Sequence, residues 1–242
     1  MSATELKLPV TGGAEKRSYV RQMFAAIAPS YDLLNHLLSL NADRRWRRLA
    51  VDRLGWERAP SGRYLDLCAG TLDLAAELAG RPGFRGQVVG ADFVPEMLAL
   101  GRHKAATVRP LTADAMELPF ADATFDGVTI GFGVRNFSDI DAGLREAARV
   151  LKPGARLVVL DCSQPPFTPF RALYYFYFRR LLPLIGKLIS RHADAYTYLP
   201  ESVLAFPGAE MLQAHMEGAG FERVEYRRLL LGVVAIHVGT RC

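Results

Sequence analysis

The stretch Tyr64-Leu65-Asp66-Leu67-Cys68-Ala69-Gly70-Thr71-Leu72-Asp73-Leu74 decides how the whole chain is read. It runs as a short apolar strand, a tight turn carrying glycine, and the opening of a helix. Gly70 lets the turn backbone come close to a ligand, because it has no side chain to clash and tolerates positive φ. The helix behind it points free N–H groups back at the turn. Asp66 ends the strand, and Asp92 follows a second strand further on. A strand–turn–helix unit with an acidic residue roughly 20–30 positions later is the layout that binds a nucleoside by its ribose hydroxyls. A purely structural turn is the alternative. Gly70 stands alone in the turn, so the G-x-G-x-x-G pattern is absent, which argues against a dinucleotide.

Outward from this unit, strands and helices alternate. The pattern predicts strands at Tyr64–Leu67, Gln87–Ala91, near Val108–Leu111, Phe125–Ile130 and Arg156–Asp161. Helices are predicted at Leu72–Ala79, stopped by Gly80, and at Pro95–Lys104, where proline suits the first turn. Ser138-x-x-Asp141 resembles a capping box. The helix behind it carries Ile140, Leu144, Ala147, Ala148 and Leu151 on one face, and Lys152-Pro153-Gly154 stops it. Five such repeats make a parallel sheet with helices on both faces. A helix at Ala209–Gly218 precedes strands Arg223–Arg228 and Val233–Gly239, which read as an antiparallel hairpin closing the sheet. The fold class is α/β. Ligands of such sheets bind beyond the C-terminal strand ends, where Asp66, Asp92, Asp114, Gly131 and Asp161 all fall.

The 242 residues, half of them hydrophobic, suffice for one large domain with a full core. No apolar run approaches the ~20 residues of a membrane span. Residues 1–20 lack the apolar core of an export signal, so a cytoplasmic location is expected. Cys68, Cys162 and Cys242 lie far apart and in no ligand spacing, which suggests neither a disulfide framework nor a metal site. The net charge of +5 permits attraction to acidic lipid or nucleic acid without demanding either.

Residues 1–16 show little periodicity and read as a mobile tail, leaving 17–242 as a single domain. Helices are expected through residue 60. Phe24, Ile27 and Ala28 precede Pro29, which ends or redirects the first helix. Tyr31, Leu34, Leu37 and Leu38 mark a second, and Trp46, Leu49, Ala50 and Leu54 a third. Arg44, Arg45, Arg47 and Arg48 on the third read as a solvated face, with a specific anion site as one alternative and a membrane-facing surface as another, since basic residues near anionic lipid each add about 1 kcal/mol. Residues 165–200 depart from the repeat. Phe170, Tyr174, Tyr175, Phe176, Tyr177 and Phe178 crowd together there. A helical cover for a greasy substrate, a membrane-surface helix and a helix packed on the core all fit this composition.

Several motifs resemble class I S-adenosylmethionine-dependent methyltransferases. They are Leu65-Asp66-Leu67-x-x-Gly70-Thr71, then Ala91-Asp92, then Asp114-Ala115-x-x-Leu118-Pro119-Phe120, then Phe125-Asp126. More narrowly, four stretches resemble the ubiquinone/menaquinone biosynthesis C-methyltransferases. These are Phe24-x-x-Ile27-Ala28-x-x-Tyr31-Asp32-x-x-Asn35, Ile130-Gly131-Phe132-Gly133-Val134-Arg135-Asn136, Ala193-Asp194-x-Tyr196-x-Tyr198-Leu199-x-Glu201-Ser202, and Ala219-Gly220-Phe221 through Gly232-Val233-Val234-Ala235-Ile236-His237. The resemblance spans residues from about Arg17 to the C-terminus. It departs at Leu72, where the family's turn commonly has glycine, and at Asp114, where the family often has asparagine.

The resemblance implies a Rossmann-like, mostly parallel seven-stranded sheet with a helical N-terminal extension. It implies S-adenosyl-L-methionine as cofactor, lined by Asp66, Gly70, Thr71, Asp92, Asp114, Ala115 and Gly131. Asp92 is expected to accept the ribose hydroxyls, Asp114 and Ala115 to meet the adenine, and Asp66 and Gly70 to lie near the methionine part. Helix capping is the plainer alternative for Asp66 and Asp114. The implied reaction is methyl transfer to a ring carbon of a polyprenyl naphthoquinol or benzoquinol. Arg135 is the candidate cation for the developing phenolate. Tyr31 and Tyr196 are candidate catalytic residues, with His192, Asp194 and Tyr198 as further candidates for positioning the ring or relaying the proton. A peripheral membrane surface and a homodimer are the further partner expectations. A methyltransferase for another small molecule and a non-catalytic cofactor-binding subunit are the alternatives. A nucleic-acid methyltransferase is disfavoured, because the loop after the fourth strand is Gly131-Phe132-Gly133-Val134-Arg135-Asn136 rather than Asn/Asp-Pro-Pro-aromatic.

Overall fold

The computed structural model describes residues 12–176 and 193–242, without the side chains of Leu34, Leu37, Leu38 and residues 193–197. Helices α1 (Gly13–Ile27), α2 (Tyr31–Leu38) and α3 (Ala42–Leu54) lead into strand β1 (Arg63–Leu67). Then follow α4 (Asp73–Ala79), β2 (Gln87–Asp92), α5 (Pro95–Gly101), β3 (Arg109–Thr112), β4 (Phe125–Gly131), α6 (Ile140–Val150) and β5 (Leu151–Cys162). Beyond these lie α7 (Thr168–Phe176), α8 (Ala193–Ala205), α9 (Ala209–Gly218), β6 (Phe221–Leu229) and β7 (Val234–Arg241). The seven strands form one sheet in the order β3-β2-β1-β4-β5-β7-β6. β1 to β5 are parallel, and β7 runs antiparallel between β5 and β6.

Strand alternation assigns the two faces. Leu65, Leu67, Val128, Ile130, Leu157 and Val159 pack with α6 and α9. Tyr64, Val88, Val158, Leu160, Val234 and Ile236 pack with Trp46, Ala50 and Leu54 of α3 and with Leu74 and Leu78 of α4. Side chains on a strand point to opposite faces in turn, so a parallel strand covered on both sides is apolar at nearly every position. The residue that breaks the run in β1 is Asp66.

Several local expectations need correction. The first helix begins at Gly13 rather than Arg17, so Lys16 is a buried residue of α1 and no part of a tail. Pro29 does redirect the chain, through a 3-10 turn at Ala28–Ser30. The N-cap of α6 is Asp139, whose carboxylate accepts from the Ala142 N–H, and not Ser138. Leu151 opens β5, and Lys152-Pro153-Gly154 lies within that strand. Arg47 is buried, unlike its exposed neighbours Arg44, Arg45 and Arg48. Residues 177–192, which hold much of the expected aromatic-rich cover together with His192, lie outside the described residues.

Leu72 is the N-cap of α4, in the left-handed region at φ 64°. That conformation costs a non-glycine residue about 1–2 kcal/mol. The side chain is fully buried in the core beneath α3 and α4. It occupies the space above Gly90, where an added Cβ would come within 2.3 Å of a Leu72 methyl. Burial of the isobutyl group outweighs the strain, since emptying a leucine site costs about 2–5 kcal/mol. We expect Leu72→Gly to relieve the strain but lower stability by about 2–3 kcal/mol. Thermal denaturation should show a melting temperature lower by roughly 5–10 °C; an unchanged or higher value would contradict this account.

Candidate active site

The C-terminal ends of β1, β2 and β4 open into a cleft enclosing about 670 Å³ of empty space. At its centre is Asp92. One carboxylate oxygen accepts the Gly70 N–H at 2.8 Å and the other the Val94 N–H at 2.9 Å. This ties the first turn to the end of β2. Burial pushes the Asp92 carboxyl up to about 6, against the pull of backbone N–H groups from Val94, Gly70 and Phe93. A carboxylate has about four acceptor positions, so Asp92 keeps capacity for a ribose hydroxyl, though not the two unengaged oxygens the sequence suggests.

Gly70, at φ 50°, lines this cleft and a second, smaller lobe of about 340 Å³. Gly131 at the end of β4 also borders both, and a Cβ there would lie 2.5 Å from Leu74. Phe93, Met97 and Phe137 supply apolar wall, beside Asp114 and Ala115. Asp114 accepts the Met116 N–H at 3.0 Å and pairs with Arg17 of α1 at 2.5 Å. Asp66 lines the smaller lobe, but both of its oxygens are engaged. One accepts the Thr129 hydroxyl at 2.8 Å, the other the Ala75 N–H at 3.0 Å. The capping alternative therefore holds for Asp66, which satisfies a free N–H in the first turn of α4. Its burial raises the carboxyl to about 7.

Thr71 belongs to a charged network at the rim of the smaller lobe. Its hydroxyl donates to Asp32 at 2.6 Å and accepts from Lys104 at 2.9 Å. Lys104 also pairs with Asp32 and Asp73, and Arg47 bridges Asp73 and Asp43. The network locks α2, α3 and α4 around the turn. Tyr31 lies against both lobes, edge-on to Phe24. Burial raises its phenol, which Asn35 and the arginines 135 and 47 pull back down.

A third cavity, about 710 Å³, adjoins the cleft and shares Phe132 with both lobes. Trp46, Phe132, Tyr174, Leu199 and Val233 make its apolar walls. Arg135 lies at its polar side. The guanidinium donates to Asp161 at 2.7 Å and to the Phe132 carbonyl at 2.6 Å. Burial works against its charge, but Asp161 more than offsets this and raises its pKa. The candidate cation expected from the sequence is half of a buried ion pair. Its Nε remains without a hydrogen-bond partner among the described residues. Cys162 shares the cavity, and burial pushes its thiol up to about 11, so it stays neutral.

α1 closes over this region. Lys16 donates to the carbonyls of Arg135 and Phe137 at 2.9 and 2.8 Å. Burial, followed by the nearby Arg135 charge, lowers its pKa to about 8. Tyr198 of α8 donates to Asn136 at 3.2 Å, with its ring 5.5 Å from that of Tyr19. The side chains of Tyr196 and Asp194 lie outside the described residues. Lys16, Arg17, Arg47 and Asp43 are site residues that sequence reasoning missed. Asp43 and Arg47 sit at helical spacing, which is a usable signal; nothing local marks Lys16 or Arg17.

A family model described as the ubiE/COQ5 methyltransferase family matches residues 12–241. A demethylmenaquinone methyltransferase of Thermus thermophilus is 57% identical over 90% of this chain and 100% of its own length. One of Deinococcus radiodurans is 47% identical over 98% of each chain. Among solved structures, a SAM-dependent methyltransferase of Thermotoga maritima superposes with a TM-score of 0.65 at 19% identity, covering 91% of this chain and 100% of the other. The [4+2]-cyclase SpnF gives 0.69 at 18%, covering 97% and 98%. Likeness at this level shows the fold alone, since one fold hosts different reactions. The family match over nearly the whole chain goes further: this protein is a methyltransferase of the ubiE/COQ5 family.

Proposed function

We propose that the chain methylates the ring carbon of a polyprenyl naphthoquinol, demethylmenaquinol, with S-adenosyl-L-methionine as donor. The observation that carries the reading is the junction at Phe132. A carboxylate-rich cleft on one side meets an oily cavity holding a buried arginine with a spare N–H on the other. The residues present suit the donor. Asp92 can take a ribose hydroxyl, Phe93, Met97 and Phe137 offer a flat apolar slot, and Asp66, Asp73 and Asp92 make surroundings favourable to a cation.

The sulfonium donor supplies the methyl group. The protein must make a weakly nucleophilic ring carbon react, and it does so through the adjacent ring oxygen. As the hydroxyl proton leaves, negative charge grows on that oxygen. Once the ring carbon carries the methyl group, its C–H bond breaks and that proton returns to the oxygen, which restores the aromatic quinol with one proton released overall. Arg135 stabilises the negative charge through the Nε–H, whose lack of a partner would otherwise cost about 1–3 kcal/mol. Asp161 keeps the guanidinium charged and aligned. Tyr31, facing the donor lobes and held by Asn35, orients the ring and passes the proton outward. Trp46, Phe132 and Tyr174 exclude water from the reacting groups. The polyprenyl tail calls for a protein that works at a membrane surface. Among the described residues no helix is long and apolar enough to cross a membrane.

Labelled donor and reduced demethylmenaquinone should give labelled menaquinol. Product analysis on a benzoquinol acceptor in parallel defines the ring preference, and no transfer to either ring would end this reading. Arg135→Ala should lower turnover at least 100-fold, the usual loss for one charge-stabilising donor, with S-adenosylhomocysteine affinity within about threefold of the parent. Because it strands the Asp161 charge, the paired change Arg135→Met with Asp161→Asn serves as control. That pair should keep the melting temperature while turnover stays low. The Asp92 carboxyl titrates near 6, and its ionised form is the acceptor. Donor affinity should therefore be near its full value from about pH 7 upward and weaken by about fivefold from pH 6 to 5. Asp92→Asn should flatten that profile, and calorimetry at several pH values reads both outcomes.

A further inference from the structure

Three turns surround the oily cavity, and each carries an apolar residue into solvent. Leu40, 86% exposed, follows Ser39 at the end of α2, and Ser39 lines the cavity. Leu230 lines it directly, and its neighbour Leu231 is 70% exposed. Gly232 packs against Pro165 and Pro166, which brings the exposed Phe167 beside that turn. On α7, exposed Leu173 precedes the cavity residue Tyr174.

Three of these positions are unfavourable twice over. Leu40, Leu230 and Leu231 are exposed and have φ of 51°, 45° and 55°, in the left-handed region where glycine, asparagine or aspartate is at home. A chain that only met water there would gain from any of those residues. Instead it holds a strained backbone and an exposed leucine together. Exposed basic residues flank them. Arg44 and Arg45 follow Leu40 within one turn of α3, and Arg227 precedes the β6–β7 turn. None of the three forms an ion pair among the described residues.

We propose that these turns form the docking surface for an anionic lipid bilayer. Leu40, Leu231 and Phe167 enter the acyl layer, and Arg44, Arg45 and Arg227 meet the lipid phosphates. The cavity then opens onto the membrane, so that a ring can enter while its hydrocarbon tail stays in lipid. The purpose of the surface rests on the quinol reading above; its existence does not.

Flotation with vesicles of equal parts phosphatidylglycerol and phosphatidylcholine tests it. The parent chain should float. The double substitution Leu40→Asn and Leu231→Asn should lower the bound fraction tenfold or more. Asparagine accepts the left-handed conformation, so the melting temperature should hold or rise. Turnover on a tail-less, water-soluble quinol should stay within twofold, while turnover on tailed quinol in vesicles falls with binding. Arg44→Gln with Arg45→Gln should weaken binding to these vesicles and leave binding to pure phosphatidylcholine unchanged. Equal flotation of parent and leucine variant would overturn the surface, as would a homodimer in solution that buries Leu231. Flotation that depends on the leucines in a chain that methylates no quinol would sink the function and leave the surface standing. Methylation of both quinols with flotation indifferent to the substitutions would do the reverse.

Discussion

The carboxylate of Asp92 draws the Gly70 N–H and the Val94 N–H onto its two oxygens, and the turn after β1 takes its shape around that grip. Cys68, Gly70 and Leu72 all have positive φ within five residues. Only glycine does this without cost. The other two are held by what surrounds them: Leu72 by complete burial above Gly90, and Cys68 by contact with the β4 loop at Gly133. The strained turn leaves Gly70 without a side chain between the two lobes of the cleft. Strain at such a place is stored by the surrounding structure and used for binding.

The chemistry of the site is arranged by burying charges in compensated groups. Arg135 with Asp161, Arg47 with Asp43 and Asp73, and Lys104 with Asp32 and Asp73 each set a cation against carboxylates. Such pairs add little net stability, because desolvation consumes most of the attraction. What they supply is position. Arg135 is held with its Nε–H unpartnered among the described residues, and the α2–α3–α4 junction is fixed around Thr71. Asp66 and Asp92 show the opposite behaviour. Among the described residues neither is paired with a cation, and burial raises both toward neutrality. A positively charged ligand would reverse that tendency, which couples the ionisation of the cleft to its occupancy.

α1 forms one wall of the site, through Arg17 and Phe24. Its polar contacts reach residues 119 to 121 positions away, through Lys16 to the carbonyls after β4. Arg17 reaches Asp114 across the cleft, and Tyr19 rests on Tyr198. The helix is thus bonded to the rim of the cleft, and its Phe24 and Ala25 join a small apolar cluster with Val94 and Met97 there. The family resemblance in this part of the chain, from Phe24 to Asn35, covers residues that face the lobes and the oily cavity.

The order of strands and helices from β1 to β5, the position of the cleft and the residues Gly70, Asp92, Asp114 and Gly131 were legible in the chain itself. Apolar alternation, glycine and proline punctuation and strand-end carboxylates are local signals, and they carry the α/β architecture with them. Tertiary structure alone decided the rest. Asp66 turned inward to Thr129 and Ala75, Arg47 left the solvated face for Asp43 and Asp73, and Arg135 gained Asp161. Lys16 came out of an apparent tail to bond carbonyls more than a hundred residues distant. Each of these depends on a partner far off in the chain. A side chain's neighbours in sequence set its backbone, whereas the company its charge keeps is set by what the folded sheet brings against it.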